Sequence, residues 1–233
     1  MRLPSWIGSS LIAVSFLAFA AWFLALANTN LLPDPIAIHW GLSLKADGFT
    51  SLVGYQAFTF GFLGILAAGA LGVRILLKEY PILSRIIGFV FAGVYWLLLL
   101  IISSATFIQI SRADARSSVF PIEIVIAILL VIPFSIWVFL DFPKISVGEK
   151  LAVSLRGIKV LEIEFSDIQS VRLDEIFPKQ YGGIGLRVWG KKIAFIPSKG
   201  EALILKLKSG EEVAIRVSHG DETLATVSAK TNN

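Results

Sequence analysis

Phe139-Leu140-Asp141-Phe142-Pro143-Lys144-Ile145-Ser146 is the stretch at which the chain changes chemistry. Upstream of it, Ile124 to Leu140 carries no charge, and the first 142 residues hold only 7 Lys/Arg and 6 Asp/Glu. From Pro143 onward, 91 residues hold 14 and 11. A half built for an apolar solvent is therefore joined directly to a half built for water, and Pro143 marks the junction. The expected organisation is a transmembrane domain over residues 1–142 and a water-soluble domain over 143–233.

Working back from the junction, four long apolar stretches fill the first half. Leu3–Pro33, Gly48–Val73 and Ile86–Ser111 are free of charge, and Val119–Leu140 carries only Glu123, near its start. A helix needs about 20 residues to cross the hydrocarbon core. Helices are the expected spanning form because lipid offers no partner to a bare backbone N–H or C=O. Four transmembrane helices are thus expected. Ala25-Leu26-Ala27 resembles a signal-peptide cleavage site, but the apolar region is longer than such signals use, so the segment is read as a retained span. The composition agrees: 55% of residues are hydrophobic and the mean hydropathy is +0.77, above soluble globular proteins. The chain has no Cys, which excludes disulfides and thiolate metal sites. The net charge of +4 fits basic cytoplasmic loops, and nucleic-acid binding is not expected.

Charge then sets the orientation. Arg74, Lys78 and Arg85 lie between the second and third spans, and Lys144 and Lys150 follow the fourth, whereas Lys45 alone lies between the first and second. The positive-inside rule places the N-terminus, the 74–85 loop and the C-terminal domain in the cytoplasm, with loop 28–50 outside; Arg112 and Arg116 pull mildly the other way. The expected location is the plasma membrane, with the lipid bilayer as one partner. Within the spans, polar groups are few: Gln56, Ser103, Ser104, Thr106 and Gln109. Central ionisable residues, which mark ion and proton pathways, are missing, so a transporter ranks last. Gly61, Gly64, Gly69 and Gly72 recur at a spacing suited to close helix packing.

The most specific local string is in the outward loop. Leu32-Pro33-Asp34-Pro35-Ile36-Ala37-Ile38-His39-Trp40 is followed by Asp47-Gly48-Phe49 and then an apolar span. The prolines end the first helix and favour extended backbone, and Asp47-Gly48 reads as a turn. One His with Asp34 and Asp47 is a thin set for zinc, so neither metal nor cofactor is expected. Two readings of the loop stay open. His39 and Asp47 pair to pin it at the membrane surface, or the loop recognises an outside ligand through Pro33, Asp34, Ile36, His39, Trp40, Asp47 and Gly48.

This string resembles the signature of the domain-of-unknown-function 1648 family of prokaryotic multi-pass membrane proteins, over about residues 10–65. Leu32, Pro33, Ile36, His39, Trp40, Asp47 and Gly48 match; Ala37, Gly41 and Leu44 depart from it. The family includes proteins similar to the immunity protein against a sporulation-delaying toxin. The resemblance implies a bacterial or archaeal integral membrane protein linked to envelope defence or signalling.

Beyond the junction, apolar residues alternate with polar ones at Leu151/Val153/Leu155, Leu161/Ile163/Phe165, Val171/Leu173, Leu186/Val188, Leu203/Leu205/Leu207 and Val213/Ile215/Val217. Period two means half-buried antiparallel strands, about seven in all. Arg156-Gly157 and Ser209-Gly210 suit hairpin turns. Ser218-x-x-Asp221 reads as a capping box opening one final helix. The expected fold is a small antiparallel barrel or sandwich closed by a C-terminal helix. The string from Ile163 to Val171 is similar to the strand-loop-strand of bacterial pleckstrin-homology-like domains, a resemblance covering about 144–230. The Gly-rich run Tyr181–Gly185 lacks the Gly-Lys-Ser/Thr ending of a phosphate loop and reads as a flexible connection. Lys179, Arg187, Lys191 and Lys192 form a candidate patch for anionic lipid.

No nucleophile–base set stands out, so no enzymatic activity is expected. The leading expectation is a membrane protein with an outward recognition loop and a cytoplasmic docking domain that binds a protein partner, acting in envelope sensing or signalling. The alternative is a toxin-immunity factor acting through its membrane half.

Overall fold

The computed structural model describes residues 5–110, 112, 114–120 and 122–231, and the side chains of these except 5–9, 117, 123, 127, 132, 135, 138 and 139. The side chain of Glu123, singled out above, lies outside the described ones. The chain forms two compact units, 1–76 with 86–129 and 77–85 with 130–233.

The first unit is built on helices α1 (Ser5–Ala27), α2 (Leu52–Leu76) and α3 (Pro81–Phe107). Among the described residues, Ser10–Ala27 of α1 and the whole of α2 and α3 are long and apolar enough to cross a membrane. Only 17% to 28% of these spanning windows is buried. Helices apolar on their outer faces as well as their inner ones need lipid, not water, as solvent.

The fourth apolar stretch also forms a helix, α4 (Ile122–Phe139), with Pro133 inside it. Among the described residues three helices are long and apolar enough, where four were expected; α4, of 18 residues, several with side chains outside the described ones, is not among them. Val119, at the start of the expected fourth span, bridges to Lys45 and is not helical.

Aromatic side chains dominate the interior of this unit. Phe23 is fully buried and meets both Tyr55 and Phe60 at 5.7 Å between ring centres. Of the four glycines expected to aid packing, Gly69 does so most clearly: a Cβ there would stand 2.5 Å from the Phe91 ring, while Gly61 and Gly72 have open space. Two hydroxyl pairs tie the helices together, Ser15 with Tyr95 at 2.9 Å and Tyr55 with Thr106 at 3.0 Å.

Between α1 and α2 the chain folds into a hairpin, β1 (Ile36–Trp40) and β2 (Ala46–Thr50), with Ile36 opposite Thr50 and His39 opposite Gly48. Asp47-Gly48 is therefore strand, not turn. The reversal lies at Gly41–Lys45, where Leu44 takes a positive φ of 58° and its N–H donates to Gly41 C=O at 2.8 Å.

The second unit holds eight strands: β3 (Lys144–Val147), β4 (Leu151–Leu155), β5 (Ile158–Ile163), β6 (Ile168–Ile176), β7 (Gly185–Trp189), β8 (Lys192–Ile196), β9 (Gly200–Leu207) and β10 (Glu212–Arg216). They form a three-stranded sheet, β3-β4-β5, and a five-stranded sheet, β6-β9-β10-β8-β7. All described pairings are antiparallel but one: β10 runs parallel to β8, which departs from the wholly antiparallel expectation. The hairpin turns at Arg156-Gly157 and Ser209-Gly210 fall where expected, with φ of 49°, 79° and 83° at Arg156, Gly157 and Gly210. Phe165 leaves its strand for a single 3-10 turn, Phe165–Asp167. Helix α5 (Gly220–Thr231) closes the unit against β6 and β9, with Val227 fully buried.

Candidate functional site

The hairpin β1–β2 is held by its backbone and displays its side chains. Gln109, fully buried just beyond α3, acts as a surrogate strand. Its Oε1 accepts the Ala37 N–H at 2.7 Å, and its Nε2 donates to the C=O of Ala37 at 3.1 Å and of Ala105 at 2.8 Å. One amide thus satisfies both backbone groups of a fully buried Ala37, each of which would cost about 1–3 kcal/mol unpaired. The α3–α4 connection adds to the hairpin: Phe120 N–H donates to Leu44 C=O at 2.9 Å, and Trp40 Nε1 donates to Ser118 Oγ at 3.3 Å.

The seven residues expected to form the recognition loop divide by role. Pro33 and Ile36 are buried and anchor the hairpin. Asp34 caps α2, its Oδ1 accepting the Leu52 N–H at 3.3 Å. Gly48 is required by space, since a Cβ there would stand 2.8 Å from His39 Cβ. His39 and Asp47 are the displayed groups, with side chains 69% and 55% exposed and Nδ1 to Oδ1 at 2.5 Å. Pairing at Nδ1 leaves Nε2 as the ring's remaining nitrogen for a ligand. Beside the pair lie exposed Ile38 and, at the reversal, fully exposed Leu42. The hairpin thus displays an imidazole–carboxylate pair and two exposed aliphatic side chains. Among the described residues no set of three His or carboxylate groups is placed to hold a metal ion.

The second unit carries a contact that no sequence pattern signals. Glu211, fully buried in the β9–β10 turn, receives the Leu83 N–H on Oε1 at 2.7 Å and the Ile82 N–H on Oε2 at 3.5 Å. Ser209 Oγ donates to the same Oε2 at 3.0 Å. Ile82 and Leu83 open α3, just after Pro81. The first N–H groups of a helix have no partner within it, and its positive end favours a carboxylate. Glu211 answers both needs. Lys191 Nζ adds a contact 4.3 Å above the Tyr80 ring. This is why residues 77–85 belong with the second unit.

Two of the four cations expected to form one patch have partners of their own. Lys191 lies on Tyr80, while Lys192 faces Glu212 at 3.8 Å. Arg187 lies against Gly183, and Lys179 sits in the 3-10 turn Pro178–Tyr181. Lys192 and Glu212 help line a depression of about 360 Å³ with Arg172, Asp174 and Tyr181. Burial first, then the charge of Glu212, pushes the Tyr181 phenol above its ordinary value, so it stays neutral and can donate a hydrogen bond.

A family model described as "Domain of unknown function (DUF1648)" matches residues 16–65, a span that takes in the last part of α1, the hairpin and the first half of α2. No curated protein and no solved structure matches the chain.

Proposed function

We propose that the chain is a multi-pass membrane protein without catalytic activity. The hairpin in loop 28–50 reads a ligand outside the cell, and the β-domain from residue 143 onward docks a protein partner in the cytoplasm. The observation that carries this reading is that α3 is gripped near both ends. Glu211 of the β-domain caps its start at Leu83, and Gln109, just past its end, holds the hairpin at Ala37. A helix of 27 residues extends about 40 Å, enough to cross a bilayer. A shift or rotation of α3 caused at the hairpin is felt at the β9–β10 turn.

Connectivity favours a crossing by α4 as well. Residues 118–120 lie with the hairpin, through the Phe120 and Trp40 bonds. Residues 80–83 lie with the β-domain, through Glu211 and Lys191. If α3 crosses from the second set to the first, α4 must return the chain to the β-domain. A small tilt-free helix with Trp137 and Arg156 at its end suffices in a slightly thinned bilayer. The positive-inside distribution supports a β-domain on the cytoplasmic side of a bacterial or archaeal plasma membrane. Two sheets closed by α5 suit a pleckstrin-homology-like docking module, with the parallel β8–β10 pair as a departure.

The test is amide exchange on the full-length protein in detergent or nanodiscs. Replacing His39 and Asp47 together by Ala is expected to change protection at Leu83 and at 209–212. Unchanged protection there would show that hairpin and domain act independently. A second reading, toxin immunity through the membrane half, is favoured by the family match lying wholly within residues 16–65. It requires that protection survive changes confined to the β-domain, such as Trp189→Ala.

A further inference from the structure

Where α4 ends, the second unit holds a cavity of about 600 Å³ lined by Asp141, Phe142, Lys144, Arg156, Ser218 and His219, among others. Its position along the chain is telling. The cavity begins at Asp141, two residues past the last residue of α4. Its cationic wall is fixed to that helix, because the Arg156 guanidinium lies 3.9 Å above the Trp137 ring. Trp characteristically sits at headgroup depth. With α4 crossing the bilayer, as proposed above, the mouth of the cavity stands at the level of lipid phosphates.

Its chemistry favours an anion. Lys144 and Arg156 both face the cavity, and Asp141 is the one carboxylate among its lining residues. That carboxylate is already engaged: it receives the Arg156 backbone N–H at 3.0 Å and lies 3.6 Å from Arg156 Nη2. The backbone bond from Arg156, and next that from Phe142, hold its carboxyl pKa below the ordinary carboxylate range, with Arg156 and Lys144 adding their charge. Asp141 thus orients Arg156, and Lys144 has no described carboxylate partner within ion-pair reach. Hydroxyl and imidazole groups at Ser218 and His219 complete a wall able to bond phosphate and glycerol oxygens. The volume suits a headgroup and excludes little else of that size.

We propose that this cavity binds the phosphate headgroup of an anionic phospholipid of the inner leaflet, and that Lys144 and Arg156 select for its charge. The bound lipid fastens the junction at Pro143, so that the β-domain is held at the bilayer on the α4 side as Glu211 holds it on the α3 side. The inference rests on α4 crossing the membrane.

The test is native mass spectrometry of the full-length protein released from nanodiscs of equal phosphatidylcholine and phosphatidylglycerol. Preferential retention of phosphatidylglycerol is expected. Lys144→Gln should lower that preference roughly fivefold, the effect of about one interfacial charge, and His219→Ala should lower it less. Lys206→Gln, exposed and outside the cavity, should leave it unchanged. Equal retention of the two lipids, or equal effects of Lys144→Gln and Lys206→Gln, would overturn the site. So would stabilisation by inorganic phosphate alone without lipid preference, which would mark a free-anion site. Loss of the lipid preference with the hairpin and β-domain on opposite membrane faces overturns the headgroup site alone. Both on one face overturns the topology and this inference with it.

Discussion

Gln109 shows how one residue can be visible in a sequence and still be misread. As a polar group late in an apolar span it stood out, but its partner was a backbone 72 positions away, and backbone partners leave no mark on side-chain pattern. Gln109→Leu keeps the volume and removes the amide, leaving both polar groups of Ala37 buried and unpaired, at about 1–3 kcal/mol each. Faster exchange of the Ala37 amide and a lower unfolding temperature are expected; a protected Ala37 amide would refute the role. Asp141 makes a second prediction at this scale. Its acidity is increased in the folded protein, chiefly by the Arg156 N–H, so its contribution is present above the unfolded value of about 3.9 and is lost as pH falls through the lower folded value. Asp141→Asn should therefore destabilise at neutral pH and make the protein less sensitive to acid as pH falls below about 4. Identical pH–stability curves for the two proteins would contradict this.

At the scale of elements, helices were legible because a run of apolar residues has a length, and length decides what can span a bilayer. The strands of the β-domain were legible wherever one face was wet, as at Leu203, Leu205 and Leu207 of β9. β8 escaped because Ile193, Ala194, Phe195 and Ile196 are all buried, which erases the alternation. β2 escaped because Asp47-Gly48 carries the chemistry of a turn, yet Gly48 is there to make room for His39. The family string therefore described a hairpin, not a bare loop. The cap on α3 was not legible at all, since nothing local links Glu211 to Leu83, 128 positions earlier. Glu211→Ala should cost about 1–3 kcal/mol by stranding two buried N–H groups, while Glu211→Gln, which keeps an acceptor, should recover much of it. Chemical denaturation of the full-length protein in micelles would show this as two distinct shifts. Equal stability of all three proteins would remove the cap from the energetics.

For the whole molecule, the composition changes at Pro143, one residue before β3, while the two compact units of the chain interleave. Residues 77–85 belong with the β-domain although they lie between two membrane helices. This interleaving turns a list of helices into a topology, because it assigns the two ends of α3 to different partners. That topology is also what the proposed recognition hairpin, docking domain and lipid cavity all require. It can be tested cleanly because the natural chain has no cysteine. The decisive measurement is labelling of single-cysteine variants Leu42→Cys and Lys208→Cys in intact cells with a membrane-impermeant maleimide. Both positions are exposed, one at the hairpin reversal and one beside the β9–β10 turn. The expected result is labelling of Leu42→Cys from outside and of Lys208→Cys only after the membrane is opened. Labelling of both from the same side would contradict the crossing of α3 between hairpin and domain, and with it the proposed line of communication.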